Sequence, residues 1–200
     1  MPIRRAVQVV RKVASALAEA HRHKIIHRDL KPGNVMIDRK GEPIVMDFGL
    51  ARSIQPKDGE QLTQDGIAMG SPGYMSPEQF EGDPEAIGPV SDIYSLGVMT
   101  YELLTGTLPF RGSIIQIMAQ ILKERPKPPS QLRPDVDARL DKICLKMMAR
   151  EADRRFSSMQ EVVSTLTKFL KADAEKVSEP QTEAEPAYEY DRESEYEYER

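Results

Sequence analysis

The sequence predicts a mainly α-helical domain with short β-hairpins, on three observations. Residues 3–23 repeat apolar side chains at helical spacing, residues 91–104 are apolar on nearly every face, and residues 35–46 hold apolar runs too brief for helices.

In the first segment Ile3, Ala6, Val7, Val10, Val13, Ala14, Leu17 and Ala18 form one stripe. Arg4, Gln8, Arg11, Ser15, Glu19 and Arg22 take the opposite face. Pro2 stands near the start, where a missing N–H costs little. The pairs and triplets Ile25-Ile26, Val35-Met36-Ile37 and Ile44-Val45-Met46 read as short strands, with a Lys40-Gly41-Glu42-Pro43 turn before the last. Residues 51–70 are polar, contain Gly and lack a period, which makes them a long loop. Loops beyond about 12–15 residues in compact domains are usually functional or disordered. A helix greasy all round belongs at the centre of its domain, which places Ser91–Leu104 there. Three further helices are expected near 112–123, 137–149 and 157–171, with Arg125-Pro126-Lys127-Pro128-Pro129 separating the first two.

Past Ala172 the pattern stops, and Glu, Tyr, Pro, Ser and Ala alternate to Arg200. Such a composition buries too little apolar surface to offset its ordering entropy. The expected organisation is therefore a folded unit over 1–171 and a disordered, acidic Glu/Tyr-rich tail over 172–200. The net charge of −4 divides accordingly: the tail holds 11 acidic and 3 basic residues, the body 21 acidic and 25 basic. A mildly basic body suits phosphate handling, but no Lys/Arg stripe with interleaved aromatics points to nucleic acid. Cys144 is the lone cysteine, which excludes an intrachain disulfide and a cysteine-cluster metal site, and its apolar helical setting marks a buried structural thiol. Apolar runs fall short of the ~20 residues of a membrane span, and residues 1–20 are amphipathic rather than signal-like. A soluble, cytoplasmic protein without a membrane partner is expected.

The chemistry concentrates in His27-Arg28-Asp29-Leu30-Lys31-Pro32-Gly33-Asn34, followed thirteen residues after Asn34 by Asp47-Phe48-Gly49. A carboxylate at Asp29 can accept a proton from an incoming hydroxyl, and Lys31 can neutralise charge developing on a phosphate. Asn34 and Asp47 offer hard oxygen ligands of the kind Mg²⁺ takes alongside phosphate oxygens. The strands between them bring both to one edge of a hairpin. Gly49 lets the chain leave at an unusual backbone angle. Each residue alone could serve a turn or a surface ion pair; the order and interval together carry the signal.

These motifs resemble the eukaryotic-type protein kinase family, in a bacterial-like serine/threonine form, over roughly residues 2–171. The resemblance implies a kinase-like fold represented by its C-lobe (the large lobe), without the N-terminal β-rich lobe. It implies ATP and Mg²⁺ as cofactors and a protein substrate with Ser or Thr. By the match Asp29 is the catalytic base, Lys31 contacts the γ-phosphate, and Asn34 and Asp47 hold Mg²⁺. Met36 falls where the family places an apolar residue beneath adenine. His27 and Phe48 resemble members of an apolar stack linking the lobes, though core packing accounts for both equally.

Gly70-Ser71-Pro72-Gly73-Tyr74-Met75-Ser76-Pro77-Glu78 looks like the substrate-docking end of an activation segment, with Ser71 where the family usually has Thr. Asp92 resembles the acid that anchors the catalytic loop, and Arg155 the arginine that pairs with Glu78. Arg28 implies control by activation-loop phosphorylation, with Thr63, Ser53 and Ser71 as acceptors and Asp65 as a permanent negative charge beside Thr63. An acidic residue in a solvated loop is an equal account of Asp65.

No Gly-x-Gly-x-x-Gly occurs in the chain, and 26 residues precede His27. Three readings stay open: an ordinary kinase whose N-lobe lies outside this sequence; a non-catalytic interaction or regulatory module; and a decayed fragment or a partner of a separate N-lobe. The 200 residues alone are expected to transfer little phosphate and to expose an apolar patch where an N-lobe would sit.

Overall fold

The computed structural model describes residues 1–48 and 72–178, with the side chains of 176–178 excepted. Seven helices and one hairpin make up the described residues: α1 (Ile3–Arg22), β1 (Val35–Ile37), β2 (Pro43–Val45), α2 (Pro77–Glu81), α3 (Pro89–Thr105), α4 (Ile114–Lys123), α5 (Pro129–Leu132), α6 (Ala138–Met147) and α7 (Met159–Ser178). This is the mainly helical architecture expected of a kinase large lobe, and β1 and β2 are the sole strands among the described residues.

α3 is the central helix. Every residue from Ser91 to Tyr101 is buried, in keeping with its all-round apolar sequence. Gly88 precedes it, Pro89 occupies its first turn, and Gly106 ends it at φ 77°, a left-handed angle that glycine takes without a Cβ penalty. α1 lays its apolar stripe, from Ala6 to Ala18, against α3 and α7. α6 crosses α3 closely: a Cβ added to Gly97 would stand 2.7 Å from Met148 Cγ and 2.8 Å from Met147 Cβ. Cys144 is fully buried there, its thiol 3.5 Å from the Gly97 carbonyl. Burial drives the thiol pKa far up, as expected of a structural cysteine.

β1 and β2 pair antiparallel, with Val35 opposite Val45 and Ile37 opposite Pro43. Arg5 donates to the Gly41 carbonyl and Lys12 pairs with Glu42, which ties the hairpin to α1. Met36 and Ile44 face each other across the hairpin and are about half exposed, as are Ile37 and Ile25.

Two expectations change. Ile25-Ile26 is not a strand: the Ile25 N–H turns back to the Ala20 carbonyl at the end of α1, and the following amides are taken by a side chain of α3. The final helix continues to Ser178, beyond residue 171. Ala172, Asp173, Ala174 and Glu175 are compatible with helix, and Asp173 bonds Arg4 at 2.7 Å. No helix among the described residues is long and apolar enough to cross a membrane.

Candidate functional site

The segment between α1 and β1 is shaped by one carboxylate. Asp92, in the first turn of α3 and 1% exposed, accepts the His27 N–H on Oδ2 and the Arg28 N–H on Oδ1, each at 2.9 Å. His21 Nε2 lies 2.7 Å from the same Oδ2. Arg28 is thereby held at φ 67°, and its carbonyl accepts from Gln79 Nε2 of α2 at 2.6 Å. Left-handed angles are uncommon in non-glycine residues. Of the three described here, Lys24, Arg28 and Asp47, two lie in the motifs. Sparsely populated backbone angles concentrate at functional sites, so the coincidence points to this loop and this hairpin exit.

His27 fixes the turn from beneath. Its Nε2 stands 2.9 Å from the Met46 carbonyl, which can only accept, so Nε2 carries the proton. Nδ1 is left as an acceptor and receives the Asp29 N–H at 3.3 Å. The imidazole packs on Phe48 with ring centroids 5.0 Å apart, which joins the loop to the far end of the hairpin.

Above that base, Lys31 Nζ donates to Asp29 Oδ2 at 2.9 Å, and both side chains are partly exposed. Asn34 Nδ2 donates to the Asp29 backbone carbonyl at 2.7 Å and approaches Oδ2 at 3.4 Å. Its Oδ1 makes no hydrogen bond within the described residues. The hairpin register, with the Met46 N–H on the Asn34 carbonyl at 2.9 Å, sets Asp47 just beyond Asn34 on the facing strand. Asp47 is exposed at φ 58°. Asp29, Lys31 and Asn34 are thus joined by hydrogen bonds, and Asp47 follows the strand that faces Asn34. Met36, on β1, is 51% exposed.

The second motif docks on α3 and on the turn after α6. At the start of α2, Gln79 Oε1 accepts from the Ser76 N–H and hydroxyl, each at 3.0 Å, and the Tyr74 hydroxyl donates to Glu102. Glu78 meets Arg155 bidentately at 2.7 and 2.8 Å, with Ser91 Oγ adding a bond to Oε1 at 2.8 Å. Burial works to raise the Glu78 carboxyl, but the Arg155 guanidinium, helped by backbone and Ser91 donors, outweighs it and holds the pKa below the usual carboxylate range. Arg155 spends its other donors on the carbonyls of Val90, Ala149 and Arg150. Arg28 and Asp29 border a shallow cleft with Tyr74, Met75 and Gln79.

Gly49, Ser53, Thr63, Asp65 and Ser71 lie outside the described residues. Sequence reasoning missed Gln79 and His21. Ser76-x-x-Gln79 is a capping-box pattern that announces α2, whereas His21 bears no local signal of its tie to Asp92.

The chain matches the Protein kinase domain family over residues 1–166. It is 39% identical over 183 residues to the serine/threonine-protein kinase PknB of Mycolicibacterium smegmatis, a match that covers 91% of this chain and 29% of that protein. A probable serine/threonine-protein kinase of Streptomyces coelicolor is 39% identical over 159 residues, covering 79% of this chain and 23% of its own length. The PknB of Mycobacterium tuberculosis is 37% identical over 186 residues, covering 92% and 29%. The chain spans under a third of the length of these curated relatives.

Proposed function

Because the chain belongs to the protein kinase family, in its bacterial serine/threonine branch, we propose that it supplies the catalytic face of an ATP-dependent kinase acting on protein Ser or Thr. What supports this reading is the hydrogen-bonded set of Asp29, Lys31 and Asn34, with Asp47 following the strand that faces Asn34 and Asp29 bordering the cleft beside the 72–79 segment.

In this reading Asp29 accepts the proton of the substrate hydroxyl at a carboxylate oxygen, while Lys31 holds that oxygen's position and meets negative charge on the transferring phosphoryl group. The donor set fits magnesium. Asn34 commits Nδ2 to Asp29 and keeps Oδ1 available, and Asp47 offers one exposed carboxylate. Mg²⁺ is usually bound by one or two carboxylates with phosphate oxygens completing the shell, so a cluster of three acidic or His ligands, absent among the described residues, is not required. When held by Asn34 and Asp47, the ion would supply positive charge that offsets that of the phosphate. Met36 would present an apolar surface to adenine. Arg28, exposed and free of side-chain hydrogen bonds within the described residues, would receive a phosphate on Thr63, Ser53 or Ser71.

A cytoplasmic site of action fits a reaction that draws on ATP. The proposed activity also needs a Gly-rich clamp over the phosphates, whether joined to these residues or separate. The test is phosphate transfer from labelled ATP by the native protein, isolated from its source through residues 1–171. Asp29→Asn at the locus is expected to lower transfer by about 10²–10⁴-fold, the scale of a general base. Unchanged transfer in that variant overturns the reading and leaves a non-catalytic binding module.

A further inference from the structure

We propose that residues 179–200 of this chain dock into a cavity on the large lobe that shares no lining residue with the cleft beside Asp29. The cavity, about 590 Å³, lies between the end of α4, α6 and the turn after α6. That volume is in the range of pockets that take a compact ligand, roughly 300–1,000 Å³. Its floor is apolar, formed by Tyr94, Ile121, Leu145 and Met148. Its rim is basic, formed by Lys123, Arg125, Arg150 and Arg154, against the carboxylates of Glu124 and Glu151. Glu151 is taken by Arg150 at 2.9 Å and lies 4.0 Å from Arg154. Lys123 and Arg125 are exposed and have no ion-pair partner among the described residues.

The tail is complementary in charge and in pattern. Residues 179–200 hold nine acidic and two basic side chains, and Tyr188-Glu189-Tyr190-Asp191 is echoed by Tyr196-Glu197-Tyr198-Glu199. In an extended chain alternate side chains point to opposite faces. Paired tyrosines can therefore meet the apolar floor while the carboxylates between them lie within reach of the long rim cations. Tyrosine gives large contact area with few rotatable bonds, and opposite charge across the contact sets its register.

The reach is also right. Lys146 pairs with Glu161 at 3.3 Å, so the first turn of α7 sits beside α6, next to the cavity-lining Leu145. The twenty residues of α7 then carry the chain roughly 30 Å away, at 1.5 Å per residue. The nine residues 179–187 can return about 30 Å when extended, at ~3.3 Å each. Tyr188 follows at once.

Amide hydrogen exchange on the 200-residue chain tests this, compared with a variant carrying Ser at positions 188, 190, 196 and 198. Amides of 121–126 and 145–154 are expected to exchange about fivefold or more faster in the variant. Added peptide 179–200 should restore their protection. Lys123→Glu with Arg125→Glu, both at exposed positions, should speed exchange equally. Identical exchange in all three proteins overturns the proposal. Protection that fades on dilution also overturns it, by assigning the cavity to the tail of a second copy.

Discussion

Glu78 and Arg155 form a bidentate ion pair across 77 positions of sequence, with Arg155 fully buried and Glu78 nearly so. The pair closes the lobe: it pins the end of the 72–78 segment to the turn between α6 and α7, and Arg155 also covers the Tyr94 ring at 5.0 Å. Removing one member strands the other charge in a dry setting, which is far worse than removing both. Arg155→Ala is therefore expected to lower unfolding free energy by about 3–5 kcal/mol in urea denaturation. Glu78→Gln with Arg155→Met should lose markedly less, because no uncompensated charge remains.

The same pair gives a pH dependence. The Glu78 carboxyl sits below its ordinary value of 4.5 in the fold, so it adds stability above that value. The contribution fades as pH falls from there through the lower, folded pKa. Thermal melts between neutral and acid pH should show the wild type losing its advantage over Glu78→Gln in that window. Parallel curves would mean that Glu78 titrates alike in both states.

Asp92 acts on backbone rather than on charge. Asp92→Asn keeps one oxygen for one amide and turns an NH₂ toward the other, leaving a buried donor unmatched at His27 or Arg28. The expected loss is about 1–3 kcal/mol, the scale of one unsatisfied buried group. The more telling readout is local. Amide exchange at His27, Arg28 and Asp29 should quicken well beyond that of the α6 core, since the left-handed turn at Arg28 loses its clamp.

Gly97 marks the tightest approach of α3 and α6. Gly97→Ala gains helix propensity on paper, yet its methyl would meet Met148 Cγ and Met147 Cβ under 3.0 Å. Overpacking of this kind costs about 1–3 kcal/mol, so a lowered melting temperature is expected. Restored stability in Gly97→Ala with Met148→Ala would place the strain at that contact.

How much of this was legible in the sequence follows from the range of each signal. α3 was visible because residues 91–104 are apolar on nearly every face, and the Asp29–Asp47 motifs because their order and spacing are local. α2 and α5, with five and four residues, are too short to show a helical period. Ile25-Ile26 has the apolar content of a strand but lacks a partner strand, because Asp92 takes the amides that follow. The hydrogen bond from Gln79 to Arg28 spans 51 positions and leaves no trace in either neighbourhood. Periodicity and motif spacing report what a residue does with its neighbours in sequence, while the hold on the 27–29 turn comes from two distant helices.

Asn34 offers the sharpest separation of positioning from ligation in the proposed reaction. Its Nδ2 donates to the Asp29 carbonyl at 2.7 Å, while its Oδ1 makes no hydrogen bond within the described residues. Asn34→Asp keeps a ligand oxygen but replaces the donor with a second acceptor facing the Asp29 carbonyl and approaching its carboxylate, so the loop should lose its support while affinity for cations stays. Asn34→Ala removes both functions. If the native protein transfers phosphate as proposed, its Ala variant is expected to need a higher Mg²⁺ concentration for half-maximal transfer. The Asp variant should keep a near-normal Mg²⁺ requirement and lose turnover instead, through the displaced Asp29. If both variants raise the Mg²⁺ requirement equally, Asn34 serves the cation and its bond to Asp29 is incidental to the chemistry.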